Sequence, residues 1–219
     1  MIPLKNIPFT YHWIVRRAIG KDIKTVLDLG CGEGTFMRDI SKGENWEIVG
    51  VELFESSIKK ANKSGVYKKV IKGDVVSLPR QVTQNKYDVV FASQVLEHLK
   101  KEDGQKALKT WQTLAKKRLV ISTPVGFIEF EPIERKRENN PLQKHLSGWK
   151  PEELSKLGFE AKGQGATFIY GKQSLARKIP PLLSFWSSIA FLFSPLVYLF
   201  PNKGLYMVAV KMSKETDYA

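Results

Sequence analysis

Apolar positions along the chain gather into short β-rich runs set apart by stretches of helical patterning. The runs TVLDLG (25–30), WEIVGVE (46–52), KKVIKGD (68–74), YDVVFAS (87–93) and RLVISTP (118–124) read as strands, and each of the first four is followed by a plausible helix or a short connection. That alternation is the signature of a parallel sheet flanked by helices, an α/β architecture. Near the C-terminal end, GFEAKGQG (158–165) and LYMVAVKM (205–212) read as two more strands. A short helix opens before them in KPEELSKL, with Pro151 at a helix-start position. One run breaks the pattern: LLSFWSSIAFLFSPLVYLF (182–200) lies in a window, 179–202, that carries no charge. Its Leu182, Phe185, Trp186, Ile189, Leu192 and Phe193 recur at helical spacing, with the serines mostly opposite. Pro180 and Pro181 suit the helix start, and Pro195 ends or kinks it.

Length and composition bound this picture. The 219 residues, 42% of them hydrophobic, suit one domain with a single core, spanning 1–219 without an internal repeat. The 35 Lys and Arg outweigh 22 Asp and Glu to leave a net charge of +13, which nucleic acid, an anionic membrane surface or an acidic substrate would each offset. A single cysteine, Cys31, excludes an internal disulfide framework and fits a reducing compartment. The N-terminal residues show no apolar core followed by a small-residue cleavage site, so a cytoplasmic location is expected.

The sharpest chemistry stands at the end of the first strand, in VLDLGCGEGTF. Glycines 30, 32 and 34 allow a tight turn and a close backbone approach to a ligand. A nicotinamide fingerprint wants Gly or Ala three residues after Gly32, and this chain has Thr35 there. Glu52 closes the second strand, where a carboxylate can accept both hydroxyls of a ribose; Asp74 closes the third, where it could accept from an adenine amino group. Three successive strand ends thus carry a glycine turn, an acid and an acid.

From Lys24 to about Gly165 the chain resembles the class I S-adenosylmethionine-dependent methyltransferases. Within them it is similar to the small-molecule, lipid and glycan group, through LEHLKKEDG (96–104), STPVGF (122–127) and HLSGW (145–149). The resemblance implies a doubly wound, Rossmann-like, mostly parallel seven-stranded sheet whose last strand runs antiparallel between the fifth and sixth, with the apolar run inserted before it. It implies S-adenosyl-L-methionine as cofactor, with Asp28, Gly30, Gly32 and Gly34 on the methionine part, Glu52 on the ribose, Leu53 against the adenine and Asp74 with Val75 at the adenine edge. Residues 1–23 become a helical cap over that site, with His12 inside it, and 124–148 a lid over the acceptor pocket. Glu129, Glu131 and Glu134 lie in that lid, and their number singles none of them out.

Methyl transfer from a sulfonium mainly asks for positioning, with a general base where the acceptor is a hydroxyl. His145 is the expected polar group at the acceptor, joined by His98 after the fourth strand and by Gln94, which can touch cofactor or acceptor. Some metal-dependent O-methyltransferases of this fold carry Glu-x-x-Glu-His where this chain has Gln94-Val95-Leu96-Glu97-His98. Losing the first acid removes a charge that a hard cation prefers, so no metal is expected, and Glu97 with His98 is read as orienting the following helix. A nucleobase acceptor is disfavoured: FASQVLEH lacks the Asn/Asp-Pro-Pro-aromatic grip of base-aminomethylating enzymes, and the only cysteine sits inside the glycine turn. The expected function is transfer of a methyl group, O-methylation favoured, to a small-molecule, lipid-linked or glycan acceptor. Methylation of an RNA ribose or end, and a non-catalytic cofactor-binding module, stand as alternatives.

In this topology the strands on either side of 175–203 lie on the same side of any membrane, which argues against a single crossing. A re-entrant hairpin, an interfacial helix, a homodimer contact and a cover over the protein's own core all satisfy it. Arg177, Lys178 and Lys203 flank the run and fit anionic headgroups, so docking on the inner face of a membrane is the leading expectation.

Overall fold

The computed structural model describes residues 3–129, 140–170 and 183–213. The seven strands are β1 (Thr25–Leu29), β2 (Glu47–Glu52), β3 (Lys69–Lys72), β4 (Tyr87–Ser93), β5 (Ala115–Pro124), β6 (Glu160–Ala166) and β7 (Gly204–Met212), and they form one sheet in the order β3-β2-β1-β4-β5-β7-β6. The first five are parallel, while β7 pairs antiparallel with both β5 and β6. This is the Rossmann-like arrangement that the resemblance implied, reversed last strand included.

Both faces of the sheet are covered, because successive side chains of a buried strand point to opposite sides. On one face Leu27, Leu29, Val90 and Leu119 pack with Leu108 and Trp111 of helix α5 (Lys101–Leu114) and with Leu154 of α6 (Pro151–Lys156). On the other, Val26, Val89, Phe91 and Val120 pack with Ile14, Val15 and Ile19 of α1 (Tyr11–Ile19) and with Met37 and Ile40 of α2 (Thr35–Ser41). The N-terminal helix α1 is capped by the Thr10 side chain, which accepts from the Trp13 amide, and ends at Gly20 with φ +87°. The remaining connections are α3 (Glu55–Lys63), after β2, and α4 (Arg80–Thr83), after β3.

Register brings the carboxyl ends of the parallel strands to one edge. Leu29 pairs with Val51 and Ala92, Glu52 with Lys72, and Ser93 with Ser122. Strand β5 begins at Ala115, three residues ahead of the predicted Arg118: Ala115 is also the C-cap of α5, so the chain passes from helix to strand with no turn between.

The apolar insertion leaves at the same edge. After β6 come α7 (Thr167–Tyr170) and, further on, α8 (Leu183–Leu192) and α9 (Ser194–Leu199), before β7 begins at Gly204, the partner of Ala166. Pro195 stands in the first turn of α9, so the break expected there occurs at Phe193; the expected start at Pro180 and Pro181, with Leu182, falls outside the described residues. The residues at helical spacing divide between protein and solvent. Trp186, Ile189, Ala190 and Val197 turn towards Ala166 and Ile169, whereas Leu192 is 75% exposed and Phe185 and Phe193 also face solvent. Helix α9 lies so close to β6 that a Cβ on Gly163 would meet the Val197 carbonyl oxygen at 2.3 Å.

Candidate functional site

The glycine turn follows β1 directly. The amides of Gly30 and Cys31 both donate to the Val51 carbonyl, at 2.8 and 3.1 Å, and Gly30, Gly32 and Gly34 all have φ between 56° and 80°. At Gly30 a Cβ would strike Val95 at 2.5 Å, whereas at Gly32 it would meet nothing within 4 Å. Gly32 therefore borders open space, and its left-handed backbone alone asks for glycine. Glu52 ties this turn to the next strand end. Its carboxylate accepts from the amides of Gly32 (2.9 Å), Leu53 (2.8 Å) and Phe54 (2.9 Å), so both oxygens are held in a fixed orientation. Leu53 stands exposed beside it.

Asp28 sits beneath the turn, 4% exposed, and accepts from the Tyr67 hydroxyl at 2.7 Å. Burial pushes its carboxyl up to about 7, against the pull of that hydrogen bond. Burial also raises the Cys31 thiol, followed by the charges of Asp28 and Glu52, which keeps it neutral and unfit as a nucleophile. At the end of β3, Asp74 is exposed, and one of its oxygens accepts from the Val76 amide at 2.8 Å. The Val75 carbonyl accepts from the Trp111 indole at 2.9 Å, which anchors this loop to α5.

The second group of residues lies past β4 and β5. Gln94 has φ +54°, rare for a residue with a side chain. Two contacts hold it there: its backbone amide donates to the Ser122 carbonyl at 2.9 Å, and its side-chain amide donates to the Ser122 hydroxyl at 3.0 Å. The next turn, Leu96–His98, places Glu97 inward and His98 at the surface of the site. Glu97 is 1% exposed. One of its oxygens accepts from the Thr123 hydroxyl at 3.0 Å, and Oε1 has no hydrogen-bond partner. The Glu97 carbonyl accepts from the amides of Leu146 and Ser147, which draws the HLSGW segment over this turn. His145 consequently lands beside His98, ring centroids 4.9 Å apart. Ligand atoms of Glu97, His98 and His145 all lie within 4.8 Å of one another. The turn thus orients more than its own helix: it assembles a carboxylate and two imidazoles from two segments distant in the sequence.

Both rings have a defined tautomer. Nδ1 of His98 lies 3.1 Å from the Lys144 carbonyl, and Nδ1 of His145 lies 2.6 Å from the Ile128 carbonyl. A carbonyl only accepts, so Nδ1 bears the proton and, in the neutral ring, Nε2 bears the lone pair. Burial lowers His98 below the ordinary imidazole range, which keeps it neutral. Of the lid 124–148, residues 130–139 lie outside the described residues, and with them Glu131 and Glu134.

Burial pushes Glu97 up to about 7 from 4.5. The folded protein therefore holds more protons than the unfolded chain between these values, and its stability falls as pH rises through that window. Glu97→Gln is expected to be more stable than the parent above the window, by about 3 kcal/mol at most, with the gap closing towards its acid end. Denaturant unfolding across pH, with chelator present, checks this.

Two participants carry no signal in the sequence pattern. The Tyr11 hydroxyl of α1 lies 2.6 Å from the Ser93 hydroxyl, so the N-terminal helix caps the end of β4. His12 beside it packs on Phe36 of α2, with centroids 4.9 Å apart. Tyr67, besides holding Asp28, fills the space against Gly34 and Gly50.

This geometry has known counterparts. A family model described as a methyltransferase domain matches residues 21–171. The ubiquinone biosynthesis O-methyltransferase of Acinetobacter baylyi is 28% identical over 138 residues, covering 61% of this chain and 54% of the relative. The chain spans about half the length of the curated relatives it matches. Among solved structures, an Archaeoglobus fulgidus SAM-dependent methyltransferase superimposes with a TM-score of 0.58 at 20% identity, covering 92% of each chain. The small RNA methyltransferase HEN1 gives a TM-score of 0.59 at 17% identity, over 93% of this chain and 25% of that one, a likeness of fold alone. With a glycine turn at β1, acids at β2 and β3 and a family match over most of its length, the chain belongs to the methyltransferase-domain family, as a class I methyltransferase whose cofactor is S-adenosylmethionine.

Proposed function

We propose that the protein moves the S-adenosylmethionine methyl group onto a hydroxyl of a small-molecule, lipid-linked or glycan acceptor. In this reading Asp28, Gly30, Gly32 and Gly34 hold the methionine part, Glu52 the ribose, Leu53 the adenine face, and Asp74 with Val75 the adenine edge. Gln94 stands where the cofactor side meets the acceptor side. The observation that carries the acceptor half is the pairing of His98 and His145, each with Nδ1 committed to a carbonyl, beside the ends of β4 and β5. A lone pair on His145 Nε2 takes the proton of the acceptor hydroxyl as its oxygen bonds to the methyl carbon. The methyl–sulfur bond breaks, and its electron pair stays on sulfur as a thioether. The likeness to ubiquinone biosynthesis O-methyltransferases supports an oxygen acceptor.

A second reading is favoured by one observation, the unpartnered Oε1 of Glu97 within a carboxylate and two-imidazole cluster. In that reading Glu97, His98 and His145 would hold a divalent cation, which would make the acceptor hydroxyl more acidic. Gln94, in place of an acid, would make such a site less charged and weaker. A screen with tritiated S-adenosylmethionine and fractionated cell extract tests the acceptor class. Label is expected in an organic or saccharide fraction; label confined to purified RNA or DNA overturns the reading and favours a ribose or RNA-end acceptor. Retention of the cofactor with no transfer to any fraction would favour the non-catalytic module.

A further inference from the structure

Helices α8 and α9 present an apolar face that the described residues leave uncovered. Ala190 and Val197 are buried against Ala166 and Ile169, and Tyr198 packs on Phe9 and Trp13, which seats the insertion on the domain. Facing outward are Phe185, Leu192, Phe193, Leu196, Leu199 and Phe200, all exposed, with no charged residue between 179 and 202. A solvated helix pair of a monomer does not carry such a patch without a use for it.

Two observations identify what covers it. The first is charge. Residues 161–214 hold seven Lys and Arg and no Asp or Glu. Arg177, Lys178 and Lys203 border the uncharged run in the sequence, so a second copy docked through that run would bring like charges together, and a nucleic acid, although anionic, offers no hydrocarbon to six large apolar side chains. An anionic bilayer offers both. The second is position. The insertion departs at Ala166 and returns at Gly204, residues paired in the sheet, while Tyr206 pairs with Pro124 at the end of β5. The apolar face is therefore rooted at the edge that carries Gln94, Glu97, His98 and His145. Geometry also limits how it meets lipid. The described α8 has ten residues, ~15 Å of helix against ~30 Å of hydrocarbon. Among the described residues no helix is long and apolar enough to cross a membrane.

We propose that the α8–α9 face is a monotopic docking surface for anionic bilayers, which sets the acceptor side of the site against the lipid surface. This rests on the lipid-linked form of the proposed function and narrows it: the acceptor is embedded in or attached to lipid. The full chain, floated with phosphatidylcholine vesicles containing phosphatidylglycerol, is expected to rise with them, and to do so at least about tenfold less with phosphatidylcholine alone or at high salt. A Leu192→Ser, Leu199→Ser variant is expected to lose vesicle partitioning by about 100-fold while keeping the parent's affinity for S-adenosylmethionine in calorimetry. Flotation needs neither acceptor nor turnover. Failure to float with cofactor binding intact therefore strikes the docking surface alone, whereas loss of cofactor binding by the parent strikes the functional reading. A monomer that leaves both vesicle types untouched overturns the proposal, as does a stable dimer that the double variant dissolves. Binding that ignores phosphatidylglycerol overturns it too.

Discussion

Glu52→Ala is expected to weaken S-adenosylmethionine binding at least about 100-fold, the loss of two charge-assisted hydrogen bonds to a ribose. The effect should exceed that of a simple lost contact, because the carboxylate has two tasks. It accepts from Gly32, Leu53 and Phe54, so its removal also frees the glycine turn from the end of β2 and leaves three amides to find water. Glu52→Gln separates the tasks. An amide keeps one oxygen for the turn but loses the charge and the second acceptor, and an intermediate affinity is expected. Calorimetric titration of parent and variants reads both, with far-ultraviolet circular dichroism to show that the sheet is intact. Parental affinity in the alanine variant, or NAD binding by the parent, would falsify the cofactor assignment.

His145→Ala is expected to lower kcat by about 100-fold with the acceptor from the labelling screen, and to leave cofactor affinity within about twofold of the parent. The ring also holds the segment in place through its bond to the Ile128 carbonyl, so alanine alone does not separate chemistry from support. His145→Asn does. Its side-chain amide can still donate to that carbonyl but has no lone pair equivalent to Nε2. Activity as low as that of alanine makes the imidazole a catalytic residue; recovery with asparagine reduces it to a positioning residue. Running the same assays with a chelator distinguishes the two forms of the proposal. Loss of parental activity and its return with magnesium or manganese favour the cation, and indifference to the chelator favours the imidazole as base.

What could be read from the chain before its fold was known follows from where the information sits. The glycine turn, Glu52 and Asp74 are each a local pattern at the end of an apolar run, so strand and candidate site are read from the same stretch. Tyr67 and Tyr11 join the site through partners 39 and 82 residues away, and nothing in their own neighbourhoods marks them. His145 and Glu97 were both visible as residues, but only the amides of Leu146 and Ser147, bound to the Glu97 carbonyl, bring them to one point. The insertion is a different case. Its helical period was read correctly, but a helix apolar on nearly every side has no inward face that period alone can pick out. The contact surface is chosen by where the sheet has room.

That room is set by a single missing methyl group. Gly163 has ordinary backbone angles, so nothing in its own conformation demands glycine; the approach of Val197 and Pro201 does. Among chains of this family, glycine at the fourth residue of β6 should travel with an apolar insertion ahead of the last strand. Where a short hairpin joins the two strands instead, the space at this position is open and a small or β-branched residue could stand in its place.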